Sequence, residues 1–149
     1  MNGYNKLYLK FPAILRDKLL NHEFELPETT QFEYDKLFTY RAVEREPGDK
    51  REVTAEDFKS YFELGKKPKG PRGVGDITKN PHYYGVSSFL KKEIVEQKMR
   101  FPNPRKKMAA GYVYSEGGPQ DTTDQHVCWW LYEGADVSGF KLMEEDDHE

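Results

Sequence analysis

Cysteine, histidine and long apolar runs are all scarce in this chain of 149 residues, and each scarcity excludes a class of protein. Cys128 is the only cysteine, so a framework of internal disulfides is excluded. One cysteine and four dispersed histidines also lack the ligand spacing of the usual zinc sites. No window approaches the roughly 18 apolar residues of a membrane-spanning helix, and no signal-peptide pattern is present. These absences predict a soluble, cytoplasmic protein without a metal site.

Aromatic and charged residues, by contrast, are abundant, at 14% and 33% of the chain. The aromatic residues argue for a folded protein, because disordered chains contain few of them. The length is typical of one domain, which can bury roughly 68–70% of its unfolded surface without help from a disulfide. We therefore expect a single globular domain over residues 1–142, followed by an acidic, disordered tail over residues 143–149.

The charge is distributed unevenly, although the net charge is only −3. The segment from Lys66 to Lys107 contains twelve basic and three acidic residues, a net of +9. The rest of the chain has eleven basic and twenty-three acidic residues, a net of −12. Such a basic block is either solvated and close to the chain's own acidic segments, or it binds an acidic partner such as a phosphate. Nucleic acid is the least favoured partner, since no DNA- or RNA-binding signature is present.

Apolar periodicity predicts an α+β fold with about three helices and about five strands. The predicted helices cover residues 11–21, 54–65 and a segment from Ser87 or Ser88 to about Arg100. The predicted strands cover residues 36–44, 82–89, 107–116 and 126–133, with a further candidate at 139–143. A basic loop rich in glycine and proline covers residues 66–81, and a second loop covers 117–125. This order of elements favours a mainly antiparallel sheet.

Trp129 and Trp130 are adjacent on a predicted strand, so their side chains should point to opposite faces of a sheet. One interpretation is a central strand that is covered on both faces, because large aromatic side chains prefer burial. The other interpretation places one indole, together with His126 or Tyr132, on the wall of a ligand cleft, since aromatic faces stack on bases and nicotinamide rings. The sequence leaves both interpretations open.

Arg41 and the pair Ser87-Ser88 are the other candidate ligand-binding residues. Arg41 lies in the middle of a predicted strand, where burial is costly unless the guanidinium pairs with a protein carboxylate or a ligand phosphate. On an edge strand it would instead extend into solvent. The two serines lie at a predicted strand-to-helix junction, where a serine either caps the helix or helps backbone amides to hold an anion.

Four segments, TYRAV, EDFKSYFELGKKP, YYGVSSF and KKMAAGYVY, resemble bacterial domains of the ADP-ribosyltransferase-like or RES type over about residues 36–116. Those families use an arginine on an early strand and a serine motif on a later strand to hold NAD. The resemblance implies that Arg41 and Ser87 or Ser88 bind such a ligand. Glu116 and Glu133 are the nearest candidates for the catalytic glutamate, and neither lies in the paired acidic motif of those families.

Two classes of function remain open, and the sequence does not establish whether the protein is an enzyme. The first is a nucleotide-binding or nucleotide-processing protein whose ligand is NAD or an ADP-ribose-like molecule. NAD is the only cofactor that the sequence indicates. The second is a non-enzymatic interaction or regulatory protein of a bacterium or mobile element. In that case the partner is another protein or a second copy, since opposite charge blocks permit self-association. No membrane partner is expected.

Overall fold

The computed structural model of the chain describes residues 4–65, 77–100 and 105–143, and it confirms a single α+β domain with an antiparallel sheet. The helices are α1 (Tyr4–Tyr8), α2 (Ala13–Leu20), α3 (Tyr61–Leu64) and α4 (Lys92–Met99). The strands are β1 (Leu37–Glu44), β2 (Val86–Phe89), β3 (Lys106–Val113), β4 (Gln120–Thr123), β5 (His126–Trp129) and β6 (Lys141–Leu142). Their order across the sheet is β4-β5-β2-β1-β3-β6, and every neighbouring pair is antiparallel.

Two sequence predictions concern residues that the structure describes only in part. The acidic tail from residue 144 onward and residues 66–76 of the basic loop lie outside the described residues, so both predictions stay predictions. Of the helices in the described ranges, none has the length and apolar character that crossing a membrane requires.

The two faces of the sheet follow from the alternation of side chains along β1. Thr39, Arg41 and Val43 lie on what we call the inner face, which packs on a core whose buried residues come from the range Val43 to Phe140. The sheet curls around this core: Tyr114 directly follows β3, yet its ring lies 5.6 Å from that of Trp129 in β5, although β1 and β2 lie between these two strands in the sheet. Such curling is the accumulated right-handed twist of the strands.

The opposite, outer face is covered in two places. Helix α4 packs over the middle of β1 and β3, burying Val95 and Met99 against Met108. A second cluster, to which α2 contributes Leu19, covers the outer side of β5. Between and beside these covers, part of the outer face on β1 and β3 stays exposed, including Phe38 at 44%.

The continuous helix predicted over residues 54–65 is wrong, because two separate capping boxes divide this segment. Thr54 caps a single 3-10 turn, and Ser60 caps α3. The Ser60 hydroxyl accepts the N–H of Glu63, which a continuous helix would bond internally, so the cap at Ser60 starts a new helix. The end of α3 is as predicted, since Gly65 takes the left-handed conformation at φ 67°. The division leaves Tyr61 45% exposed.

The prediction that Ser87 or Ser88 opens a helix is also wrong, because both serines lie within β2. This strand pairs with β5 along its whole length, so the backbone of both serines is part of the sheet and does not start a helix. Helix α4 begins only at Lys92, without a side-chain cap, and ends at Arg100 as predicted.

Two neighbouring predictions need correction for local reasons. Residues 82–84, predicted as strand, belong to a 3-10 turn, since Asn80 caps that turn and a proline stands at its first position. The predicted loop at 117–125 contains β4, which reverses into β5 through Asp124 and Gln125. Both turn residues have positive φ, 50° and 71°, which suits a two-residue hairpin. Neither is a glycine, so the usual sequence signal of such a hairpin is missing.

Candidate functional site

Four of the six predicted ligand-binding residues converge on β2 and its two neighbours. Arg41 Nη1 donates a hydrogen bond to the carbonyl of Ser87, and His126 Nε2 lies 2.9 Å from Ser87 Oγ. Extending the register from the pair Tyr40↔Phe89 places Ser88 opposite Arg41. Arg41 and Ser88 therefore share the inner face, whereas the Ser87 hydroxyl and His126 share the outer face.

Arg41 lies at the seam between β1 and β2, which pair through Tyr40↔Phe89. Its guanidinium donates to the Ser87 carbonyl and lies 5.0 Å from the centroid of the Phe58 ring. The residue as a whole is half-buried, but its Nε is inaccessible and has no hydrogen-bond partner. Burial lowers the pKa of Arg41 to about 10, with the charge of Asp57 opposing the shift. Arg41 thus remains a cation at neutral pH while losing much of its hydration.

Ser88 supplies a second unsatisfied polar atom beside Arg41. The residue is 3% exposed, and its Oγ has no hydrogen-bond partner. A buried hydroxyl without a partner costs about 1–3 kcal/mol relative to its hydrated state. Two adjacent buried polar groups without partners indicate a place where a polar group from outside the described residues can bind.

Replacing Ser88 with alanine is expected to stabilise the fold by about 1 kcal/mol, because it removes an unsatisfied hydroxyl at nearly constant volume. The melting temperature should rise by about 2–4 °C for a domain of this size. The matched control is Thr39→Val on the same face, since the buried Thr39 hydroxyl donates to the Gly111 carbonyl at 3.3 Å. That change should destabilise. A Ser88→Ala protein that loses stability as Thr39→Val does would show that the Ser88 hydroxyl is satisfied.

On the outer face, the hydrogen bond between Ser87 and His126 orients the imidazole. The His126 ring lies beside Phe89, with centroids 5.1 Å apart. The pair therefore contributes to an aromatic surface of the outer face and is separated from the Arg41 guanidinium by the sheet.

Trp129 and Trp130 are both core residues, with 1% and 0% of their surface exposed. Trp129 Nε1 donates to the Gly118 carbonyl at 3.1 Å on the inner side, and Trp130 Nε1 donates to the Pro81 carbonyl at 2.9 Å. Strand β5 lies between β4 and β2 and is covered on both faces, which accounts for two large aromatics in succession. The Trp129 ring packs against neighbouring rings such as that of Phe58.

The two glutamates proposed from the family resemblance lie at the surface. Glu116 stands in the 3-10 turn that follows β3, and Glu133 follows β5, with its N–H bonded to the Lys10 carbonyl. Neither has a hydrogen bond or ion pair to Arg41 or Ser88 within the described ranges.

The arginine that sequence reasoning missed is Arg45, which is 3% exposed. Its Nη1 and Nη2 atoms pair with the two carboxylate oxygens of Asp57 at 2.7 and 2.8 Å. It also donates to the carbonyls of Glu44, Arg51 and Glu52. No sequence signal identifies this pair, because Asp57 also fits the capping box that begins at Thr54. Asp57 is also the carboxylate whose charge acts on Arg41, but both of its oxygens accept hydrogen bonds from Arg45.

Two open clefts in the described part lie away from Arg41. One of about 730 Å³ is lined by Gln31, Glu33, Tyr34, Asp35, Leu37 and Ser115. The other, of about 490 Å³, is lined by Glu44, Arg45, Glu46, Arg51, Arg105 and Lys106. In the first cleft, burial raises the pKa of Tyr34 above its usual range, so this phenol stays neutral and donates to the Gly118 carbonyl at 2.7 Å. Within the described ranges, no group of three or more His, Cys, Asp or Glu side chains could hold a metal ion.

Comparison of the chain with protein-family models, with curated proteins and with solved structures found no match in any of the three. Its function is therefore argued from the geometry of its own residues, of which the Arg41–Ser88 pair is the most unusual.

Proposed function

We propose that the protein binds an anionic ligand through Arg41 and Ser88, and that the ligand is a nucleotide of the NAD or ADP-ribose class. One observation carries the proposal: a protonated, half-buried guanidinium lies against Phe58 with a single neutral acceptor and an inaccessible, unpartnered Nε, beside a serine hydroxyl without a partner. A buried cation without a counter-charge is costly. A phosphate oxygen at this position would supply the charge and accept hydrogen bonds from both residues.

The protein's own carboxylates support this reading by their placement. Asp57 is the acidic side chain whose charge acts on Arg41, yet both of its oxygens accept hydrogen bonds from Arg45. No carboxylate in the described part of the chain lies within ion-pair distance of Arg41. Of the two partners that the sequence allowed for Arg41, a carboxylate or a phosphate, the phosphate is the one that agrees with these contacts.

The proposal concerns binding and assigns no catalytic residue. A glutamate that stabilises a developing positive sugar must lie beside the ligand. Glu116 and Glu133 are exposed on turns and make no contact with Arg41 or Ser88 among the described residues. The resemblance to ADP-ribosyltransferase-like domains therefore supports only the class of ligand, and no transferase activity is proposed.

Arg41→Met is expected to remove the stabilisation of the protein by its ligand and to leave a folded protein. A ligand at about 100 times its dissociation constant adds about 2.7 kcal/mol to the free energy of unfolding, which raises the melting temperature by several degrees. The measurement is thermal unfolding with NAD, ADP-ribose, ATP, GTP or inorganic phosphate. Ser88→Ala should weaken the same shift, although it raises the melting temperature of the protein alone.

The matched control is Arg51→Met, which removes the same charge from an arginine whose side chain is 68% exposed and pairs with Asp49. This variant should keep the full shift. A shift that Arg41→Met preserves, or a wild-type protein that none of these anions stabilises, would contradict the proposal. Unfolding of Arg41→Met without ligand would instead show that Arg41 is needed for the fold.

A further inference from the structure

A strip of aromatic rings crosses the outer face of the sheet from β3 to β5. It consists of Tyr112, Phe38, Tyr40, Phe89 and His126, and we call it the aromatic strip. The centroid of Phe38 lies 5.0 Å from that of Tyr112 and 5.4 Å from that of Tyr40. Tyr40 pairs with Phe89 across the strands, and the Phe89 and His126 rings are 5.1 Å apart. The strip thus continues over four adjacent strands.

The aromatic strip is most accessible at Phe38 and Tyr112, whereas Tyr40 and Phe89 also pack against the apolar cluster that helix α4 covers. Phe38 is 44% exposed and Tyr112 is 45% exposed, while the other three members are partly exposed. Helix α4 covers the neighbouring part of the outer face, around Met108, and stops short of Phe38 and Tyr112. Adjacent exposed aromatic side chains on one face are typical of a binding surface.

Lysine amines lie beside two rings of the aromatic strip. Lys36 Nζ lies 4.5 Å from the centroid of Tyr112, and Lys98 Nζ lies 5.3 Å from that of Phe89. Lys141 of β6 pairs with Ala110, which places it on the same face and in the same row as Tyr40. Lys36 and Lys98 form no ion pair with any described carboxylate. The surface therefore combines stackable rings with uncompensated positive charge.

We infer that the aromatic strip binds single-stranded nucleic acid, with bases stacked on the rings and phosphates close to the lysines. Every base has an aromatic face, and an unpaired strand can present several of them in succession to a sheet. The charge on the strip complements the phosphate backbone. Symmetric association of two copies through this face would bring lysines of both copies together, so a second copy of this chain is a poorer fit.

This inference reverses the order of partners that the sequence suggested. The net charge of −3 is a property of the whole chain, whereas binding depends on the charge at one surface. Lys98 belongs to the basic segment, and α4 carries it to the outer face next to Phe89. The aromatic strip and the Arg41–Ser88 pair lie on opposite faces of the sheet, so either proposal can fail without the other.

The test is fluorescence anisotropy with labelled single-stranded DNA and RNA of about 12 nucleotides and mixed sequence, with a duplex of equal length as comparison. Binding should be strongest to the single strands and should weaken as salt is added. Tyr112→Ala and Phe38→Ala should each weaken affinity by roughly five-fold to a hundred-fold, since each removes one stacking surface. Lys36→Gln should lower the slope of log affinity against log salt by about 0.7, the value for one phosphate contact with a single strand.

Two controls separate stacking from other effects. Tyr112→Phe keeps the ring and should keep the affinity. Tyr61→Ala removes an equally exposed tyrosine, at 45%, from α3 outside the aromatic strip, and it should also keep the affinity. Melting temperatures of all variants should agree with the wild type, because the substituted side chains are exposed. Absence of binding to single strands at low salt, or binding that Tyr112→Ala and Phe38→Ala leave unchanged, overturns the inference. So does a dimer that Tyr112→Ala converts to a monomer, which would make the aromatic strip an interface between copies.

Discussion

Replacing Asp57 with alanine is expected to lower the free energy of unfolding by about 3–5 kcal/mol, the usual cost of removing one partner of a buried ion pair. The Arg45 side chain is 0% exposed and the Asp57 side chain 11% exposed, and two hydrogen bonds of 2.7 and 2.8 Å join them. Without the carboxylate, Arg45 keeps its neutral carbonyl acceptors but loses the one ion-pair partner that it has among the described residues. Equilibrium unfolding in urea measures the difference directly.

The matched control is Asp49→Ala, which removes a carboxylate from an ion pair with Arg51 in the same loop. The Arg51 side chain is 68% exposed, so this pair should contribute only about 0–1 kcal/mol. In the double variant Arg45→Met with Asp57→Ala, part of the lost stability should return, because no unpaired charge is buried. Equal losses for Asp57→Ala and Asp49→Ala would contradict the structural role of the Arg45–Asp57 pair.

The same pair predicts a pH dependence. Burial opposes ionisation of Asp57, but the hydrogen bonds from Arg45 and Thr54, with the charge of Arg45, outweigh it and hold the pKa below 3.8. The unfolded chain therefore binds this proton first as the pH falls. The stabilisation is complete above the unfolded pKa and is lost as the pH falls through the folded pKa. The stability difference between wild type and Asp57→Ala should accordingly shrink below about pH 4.

Gly118→Ala is the second change with a large expected effect, about 4 kcal/mol of destabilisation from steric overlap and backbone strain. A Cβ at this position would lie 2.0 Å from the carbonyl oxygen of Trp130, and the glycine has φ 143°, which side chains disfavour. The backbone cannot easily move aside, because the Gly118 carbonyl accepts hydrogen bonds from Tyr34 and Trp129. We expect the melting temperature to fall by about 10 °C in thermal unfolding monitored by circular dichroism.

Gly134→Ala provides the control for this effect. Gly134 also has positive φ, at 75°, but a Cβ there would meet nothing within 4 Å. Its substitution should cost only the backbone strain, about 1 kcal/mol. If the two variants lose similar stability, the steric overlap at Gly118 is relieved by movement of the backbone at Trp130, and the expectation for Gly118→Ala is wrong.

Periodicity was sufficient to predict the elements whose side chains face a core at regular intervals. Helix α2, strands β1 and β3 and the end of α4 lie close to their predicted ranges. The segment at 54–65 was not predictable in this way, because Ser60 makes a local cap that competes with a longer helix. The hairpin of β4 and β5 was missed because its turn residues, Asp124 and Gln125, carry no glycine.

For the candidate sites, the sequence identified residue types and the tertiary structure decided their partners. The chemistry of arginine makes it costly to bury in the middle of a strand, and strand geometry directs adjacent tryptophans to opposite faces. Three sets of contacts depend instead on strand order and on the curl of the sheet. They are the pairing of Asp57 with Arg45, the position of Ser88 beside Arg41, and the positions of Lys36 and Lys98 beside the aromatic strip. These contacts join residues far apart in the chain, and no local pattern encodes which distant side chains become neighbours.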